Sequence, residues 1–194
     1  MDLAPMQQGG SGAHLYPVKD ARFEGMVGFI GGSERERLAY LYSMHVGEAR
    51  RLAYLLTGSR EAAEDLTQDA FIKSFGRLAH LRKEESFRPY LRQTVVNLAK
   101  MRYRRSDVER RHLRSAKGAA PVAGTLLEED QALSDALRSL PYRQRAAVVL
   151  RFYCDLGDDE TAAILGCATG TVRSLVSRGL DALRFTMESG DHDG

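Results

Sequence analysis

In the stretch DDETAAILGCATGTVRSLVSRGLDALR, residues 158–184, side chains suited to reading DNA recur on a spacing that a helix sorts onto one side. Thr169, Thr171, Arg173, Ser174, Ser177 and Arg178 carry the hydroxyl and guanidinium groups that meet phosphates and base edges. Between them Val172, Val176, Leu180 and Leu183 recur at helical spacing as an apolar stripe. Leu165 ends the preceding helix, Gly166 supplies a turn at positive φ, Thr169 caps the next helix, and Ala162 and Ala163 allow the two helices to cross closely. The stretch reads as a helix-turn-helix whose second helix enters a DNA groove. An ordinary helical hairpin with a solvated basic face fits the same pattern.

A second group of residues lies earlier in the chain. From Leu81 to Lys117 there are twelve Lys and Arg residues against four acidic ones, a polyanion footprint or else a solvated basic face. Within it Phe87, Tyr90 and Tyr103 interleave with Arg92, Lys100 and Arg104, which suits stacking of splayed bases with neutralisation of phosphates. The aromatics also suit a core, Tyr90 first among them. Asn97, amid Val95, Val96 and Leu98, can both donate to and accept from a base edge, or bond its own backbone. On a separate helix Asp65, Gln68 and Asp69 share one turn, opposite the stripe Ala62, Ala63, Leu66, Ala70, Phe71 and Phe75. They present acceptors outward, for a partner or only for water.

The elements that must hold these groups are all helical. Ser33 with Glu36 forms a capping box for a helix that Gly58 stops. Ser59 caps the helix bearing Asp65, and Gly76 marks its end. Pro89 sits in the first turn of a third helix, with Tyr90, Leu91, Val95 and Leu98 inward and Arg88, Arg92 and residues 100–105 outward. Gly118, Pro121 and Gly124 then interrupt the pattern, and Leu133, Leu137 and a helix opened by Pro141 lead to the helix-turn-helix. No strand pattern competes. The chain divides into a glycine-rich, flexible extension (1–33), a helical domain (34–105), a linker (106–128) that spans ~25–30 Å as a coil, a second helical domain (129–187) and a tail (188–194).

Composition narrows the function. With 43% hydrophobic and 28% charged residues the 194-residue chain is a soluble globular protein. Its apolar runs fall far short of the ~20 residues of a membrane span, and the first twenty residues lack the pattern of a secretory signal, so a cytoplasmic location is expected. Cys154 and Cys167 have no histidine pair nearby and read as buried reduced thiols. No nucleophile with its base, phosphate loop or metal-ligand spacing appears, so neither an enzyme nor a cofactor or metal site is expected.

Three segments together resemble the extracytoplasmic-function (group IV) sigma factors of bacterial RNA polymerase: RLAYLLTGSREAAEDLTQDAFIKSF (51–75), FRPYLRQTVVNLAKMRYRR (87–105) and LPYRQRAAVVLRFYCDLGDDETAAILGCATGTVRSLVSRGLDALR (140–184). The resemblance covers about residues 35–187. It implies an all-α fold of a region 2-like bundle and a region 4-like helix-turn-helix. Region 2 would bind the polymerase clamp through Asp65, Gln68 and Asp69. It would open the minus-10 element through Phe87, Arg92, Asn97, Lys100, Tyr103 and Arg104, with the loop from Arg77 to Glu85 helping to hold an unpaired base. Region 4 would read the minus-35 element through Thr169, Thr171, Arg173, Ser174, Ser177 and Arg178, and the linker would thread toward the polymerase active site. Core polymerase and promoter DNA are the implied partners, and an anti-sigma factor is a further one. The chain departs from the family pattern at Gly157, which replaces a usual Ser cap, at Leu175, where a polar residue is common, and in the long extension before Ser33. A stand-alone helix-turn-helix regulator and a helical protein-binding adaptor remain the alternative readings.

Overall fold

The computed structural model describes residues 32–78, 86–113 and 128–190. Residues 1–31, 79–85, 114–127 and 191–194 lie outside the description, and so do the extension, most of the base-holding loop and most of the linker expected there, as well as the side chain of Ser33 expected to cap the first helix. The described residues form seven helices and no strand: α1 (Gly32–Thr57), α2 (Arg60–Leu78), α3 (Phe87–Leu113), α4 (Glu128–Ser139), α5 (Tyr142–Val148), α6 (Asp158–Leu165) and α7 (Thr169–Gly190). One turn of π-helix, Val149–Tyr153, continues α5.

Local chemistry accounts for most boundaries. Gly58 ends α1 at φ +67°, and Ser59 Oγ accepts the Ala62 N–H at 3.2 Å to start α2. Pro141 opens α5, its carbonyl accepting the N–H groups of Gln144 and Arg145. Two helices outrun the expected boundaries. α2 carries Gly76 inside its last turn, and α3 continues to Leu113 through eight residues assigned to the linker, because nothing between Ser106 and Leu113 breaks a helix.

Helices α1 to α3 pack around an aromatic centre. Phe71 and Phe87 are both 0% exposed, and Phe75 stacks on Phe87 with ring centroids 5.6 Å apart. Tyr42 meets Phe71 at 4.8 Å, and His45 meets Phe87 at 5.7 Å. Such pairs contribute about 0.5–1.5 kcal/mol each beyond the area they bury. The sequence places Phe87 among arginines on a nucleic-acid surface. That expectation is corrected here: the first turn of α3 directs the ring into the core.

The second group of helices does not stand apart from the first. One continuous apolar cluster runs from Leu38 through Leu56 and Val96 to Leu140, Ala146 and Leu150. Across the seam the Tyr142 hydroxyl donates to the Val96 carbonyl at 2.7 Å, and Tyr142 stacks on Tyr103 at 5.4 Å. Burial pushes the Tyr142 phenol well above its usual range, so it stays a donor at any physiological pH. Arg145, almost wholly buried, donates Nη1 to the Leu56 carbonyl at 2.7 Å and Nη2 to the carbonyls of Arg138 and Leu140 at 3.0 and 3.2 Å. Leu56 lies in the last turn of α1, where carbonyls lack helical partners and a cation is favoured. Next to this set Gly58 leaves room for the Arg138 side chain, from which a Cβ there would stand 2.1 Å.

Replacing Arg145 with Met leaves those three carbonyls without their donor. The expected loss is about 1–3 kcal/mol of stability, read as a lower urea midpoint at unchanged m. Tyr142→Phe keeps the ring and should cost less.

Candidate nucleic-acid interface

The helix-turn-helix is built on short-range geometry. Gly157 occupies the N-cap of α6, where its N–H donates to Glu160 Oε2 at 2.9 Å; this is one half of a capping box, without the hydroxyl that would accept an N–H of the first turn. Gly166 closes α6 in the left-handed region at φ +63°, and the Ala168 carbonyl accepts the first N–H groups of α7 from Thr171 and Val172. Thr169 is therefore not the cap. Its hydroxyl donates to Asp159 Oδ1 at 2.8 Å and ties the turn together. Val172 is fully buried and Leu183 nearly so. Gly179 lies so close to α5 that a Cβ there would meet Val148 Cγ2 at 2.7 Å. At the crossing of α6 and α7 Ala162 is buried but Ala163 is exposed, so of the two alanines only Ala162 faces inward.

Opposite that buried face, Thr171, Arg173, Ser174, Ser177 and Arg178 are all exposed on α7. Leu175 is half-buried and packs against the core, which decides between a groove-facing and an inward side chain. Ser174 Oγ donates to the Gly170 carbonyl, and Arg178 Nε donates to the Ser174 carbonyl at 3.2 Å. Arg173 instead reaches off its own helix, its Nε 2.9 Å from Asp158 Oδ2.

On α3 the expected set separates. Asn97 and Arg104 are exposed and Lys100 is half-buried. Tyr103 is half-buried beneath Tyr142, so its ring is not available to a base in this arrangement. Arg92 was expected to face outward but is only 8% exposed, with Nη2 3.0 Å from Glu48 Oε1. Arg88 joins the same carboxylate through Nε at 2.8 Å. Burial alone would raise the Glu48 pKa, but hydrogen bonds and charge from Arg88 and Arg92 outweigh it and hold the carboxyl below its usual range. The Cys154 thiol beside this cluster is pushed up to about 11, chiefly by burial, and stays protonated. On α2, Asp65 and Asp69 are exposed and Gln68 half-buried, while Leu66, Thr67, Ala70 and Phe71 face inward. Among the described residues no cluster of three or more His, Cys, Asp or Glu could hold a metal, and no helix is long and apolar enough to cross a membrane.

Residues 41–108 match the family described as Sigma-70 region 2, and residues 130–183 match Sigma-70, region 4. An RNA polymerase sigma-E factor of Streptomyces avermitilis is 34% identical over 132 residues, covering 68% of this chain and 74% of that one. The chain belongs to the ECF RNA polymerase sigma factors. Two further relatives agree. The ECF sigma factor SigM of Mycobacterium tuberculosis is 31% identical over 168 residues, 78% of this chain and 85% of its own. The ECF sigma-E factor of Escherichia coli is 32% identical over 134 residues, 61% and 70% of the two chains. Among solved structures, RpoE of Bartonella quintana, crystallised with the anti-sigma factor NepR, shares the fold at a TM-score of 0.62 and 24% identity, covering 81% of this chain and 98% of that one. The protein is thus a sigma factor, a DNA-binding subunit for transcription initiation by RNA polymerase.

Two residues that organise the sigma factor's surface are not marked as such by the sequence. Glu48 pairs with arginines forty and more residues away, and no local pattern marks it. Asp158 reads there only as a candidate cap of α6, a place that Gly157 takes, and its partner Arg173 lies beyond the turn.

Because the Glu48 pKa is depressed in the folded sigma factor, its contribution is present above the ordinary carboxylate value and is lost as pH falls through the depressed one. Glu48→Gln should lower the thermal midpoint at pH 7. The gap from wild type should close as pH is taken from about 5 toward 3, which calorimetry across that range measures.

Proposed function

We propose that region 4 of this sigma factor reads the minus-35 element with the exposed side of α7: Thr171, Arg173, Ser174, Ser177 and Arg178, with Thr169 at its start. The observation that carries the reading is the division of α7, with Val172, Gly179 and Leu183 buried on one side and the hydroxyl and guanidinium groups together on the other. In region 2, Asn97, Lys100 and Arg104 are the groups for the unpaired minus-10 strand. Phe87, wholly buried in the core, has no part in it, and Arg92 is held by Glu48, whereas Tyr103 is covered by Tyr142 in this arrangement and joins the set where that contact opens. Asp65, Gln68 and Asp69 dock on core polymerase. The molecule catalyses nothing itself and works in the cytoplasm. The fold likeness to RpoE with NepR, and to CnrH with the cytosolic domain of CnrY, supports an anti-sigma factor as a further partner.

Substituting Ala at Asp65, Gln68 and Asp69 together should weaken core binding tenfold or more, about 1.4 kcal/mol or above, with helicity unchanged. A fluorescence titration giving wild-type affinity removes these residues from the docking surface.

Asn97 is tested by strand opening. Extruding a base costs a few kcal/mol, which contacts to its edge must offset. Asn97→Ala holoenzyme should bind minus-35 duplex as wild type does, yet give weaker permanganate reactivity of minus-10 thymines, with a premelted template restoring transcription. Equal reactivity would exclude Asn97.

A further inference from the structure

Arg173 poses a physical problem for a base-reading residue. Its side chain is 73% exposed and extends into solvent, and a long side chain left free there loses rotamer entropy when fixed against DNA. The structure shows what fixes it beforehand. Asp158, the first residue of α6 and 25% exposed, accepts the Arg173 Nε–H on one carboxylate oxygen at 2.9 Å and forms an ion pair with Arg151 through the other, 3.0 Å from Arg151 Nε. Arg151 is itself anchored, donating Nη1 to the Leu156 carbonyl. The first turn of α6 adds the favourable end of the helix dipole to the carboxylate. All three residues line one groove with Ser177 and Arg184.

A guanidinium has five N–H donors in a rigid plane, and the contact to Asp158 takes only the one on Nε. Nη1 and Nη2 retain donors for the two acceptors, O6 and N7, that guanine shows in the major groove. We propose that Asp158 is a positioning residue for promoter recognition: braced by Arg151, it holds the Arg173 guanidinium in place so that it can engage a guanine edge in the minus-35 element. This rests on the reading of Arg173 as a base contact. Arg178 differs, since its Nε is bonded within its own helix and no acid holds it in a corresponding way among the contacts described. It serves as a phosphate contact.

Asp158 has two opposed effects on DNA binding, and this separates positioning from a role in folding. A carboxylate near the phosphates repels every sequence alike, whereas an ordered Arg173 favours one base pair only. Removing the charge should therefore cut discrimination while leaving general affinity equal or higher. A merely structural loss would weaken both.

The test uses holoenzyme assembled from the full-length sigma factor. Its probes are a promoter duplex that wild type recovers from a library randomised at minus-35, every single-base variant of that element, and a scrambled minus-35 duplex. Arg173→Ala should lower discrimination at one G·C pair about tenfold or more. Asp158→Asn should lower it at the same pair about three- to tenfold, with scrambled-duplex affinity unchanged or raised. Asp158→Glu should recover part of the loss. The double variant Arg173→Ala, Asp158→Asn should lose no more than Arg173→Ala alone. Wild-type discrimination in Asp158→Asn, or equal weakening on every duplex with a lowered melting temperature, overturns the positioning role while the Arg173 reading stands. Full discrimination in Arg173→Ala overturns the reading of Arg173, and the proposal with it.

Discussion

A guanidinium taken out of water must find acceptors, and in this sigma factor Arg145 finds them in three backbone carbonyls from two distant stretches of the chain. Leu56 ends α1, Arg138 lies near the end of α4, and Leu140 precedes α5. Each is a point where helical bonding runs out and a carbonyl needs a donor. One side chain thereby joins the end of the region 2 bundle to the start of the helix-turn-helix unit. Beside that junction the positive φ of Gly58 turns the chain out of α1, and its bare Cα makes room for the Arg138 side chain.

From that junction the rest of the arrangement follows by packing. Tyr142, three residues before Arg145, enters the seam over Tyr103 and Val96, and Tyr153 and Cys154 arrive beside the carboxylate that holds Arg88 and Arg92. α5 then supplies the floor on which α7 lies, close enough that Gly179 has no room for a side chain. With that face of α7 committed inward, its polar residues have one direction left to point.

How much of this was legible in the sequence depended on how far apart the deciding partners lie. Gly58, Ser59, Pro141 and Gly166 act on their own few residues, so turn and cap chemistry located the helices. The stripe Val172, Val176, Leu180 and Leu183 announced the reading helix for the same reason. Phe87, Arg92 and Tyr103 form a basic, aromatic run when read locally. They are claimed instead by Phe71 and Phe75, by Glu48 and by Tyr142, each at long sequence separation. Periodicity tells which side of a helix is apolar, but it cannot say that a distant acid will draw an arginine under cover. α3 runs past Ser106 for a related reason: a polar, charged stretch can remain helical when nothing in it breaks the helix.

The seam between the two regions bears on the geometry of a promoter. Elements centred about 25 base pairs apart, at about 3.4 Å per pair, are separated by roughly 85 Å along the duplex. The Tyr142 hydroxyl and the Val96 carbonyl are 2.7 Å apart. A sigma factor that engages both elements at once would have to give up that contact, and whatever free energy the seam contributes to the compact arrangement would then be subtracted from its apparent affinity for the promoter. A change of side chain at Arg145 or Tyr142 would in that case alter how readily the molecule extends without touching a single DNA contact.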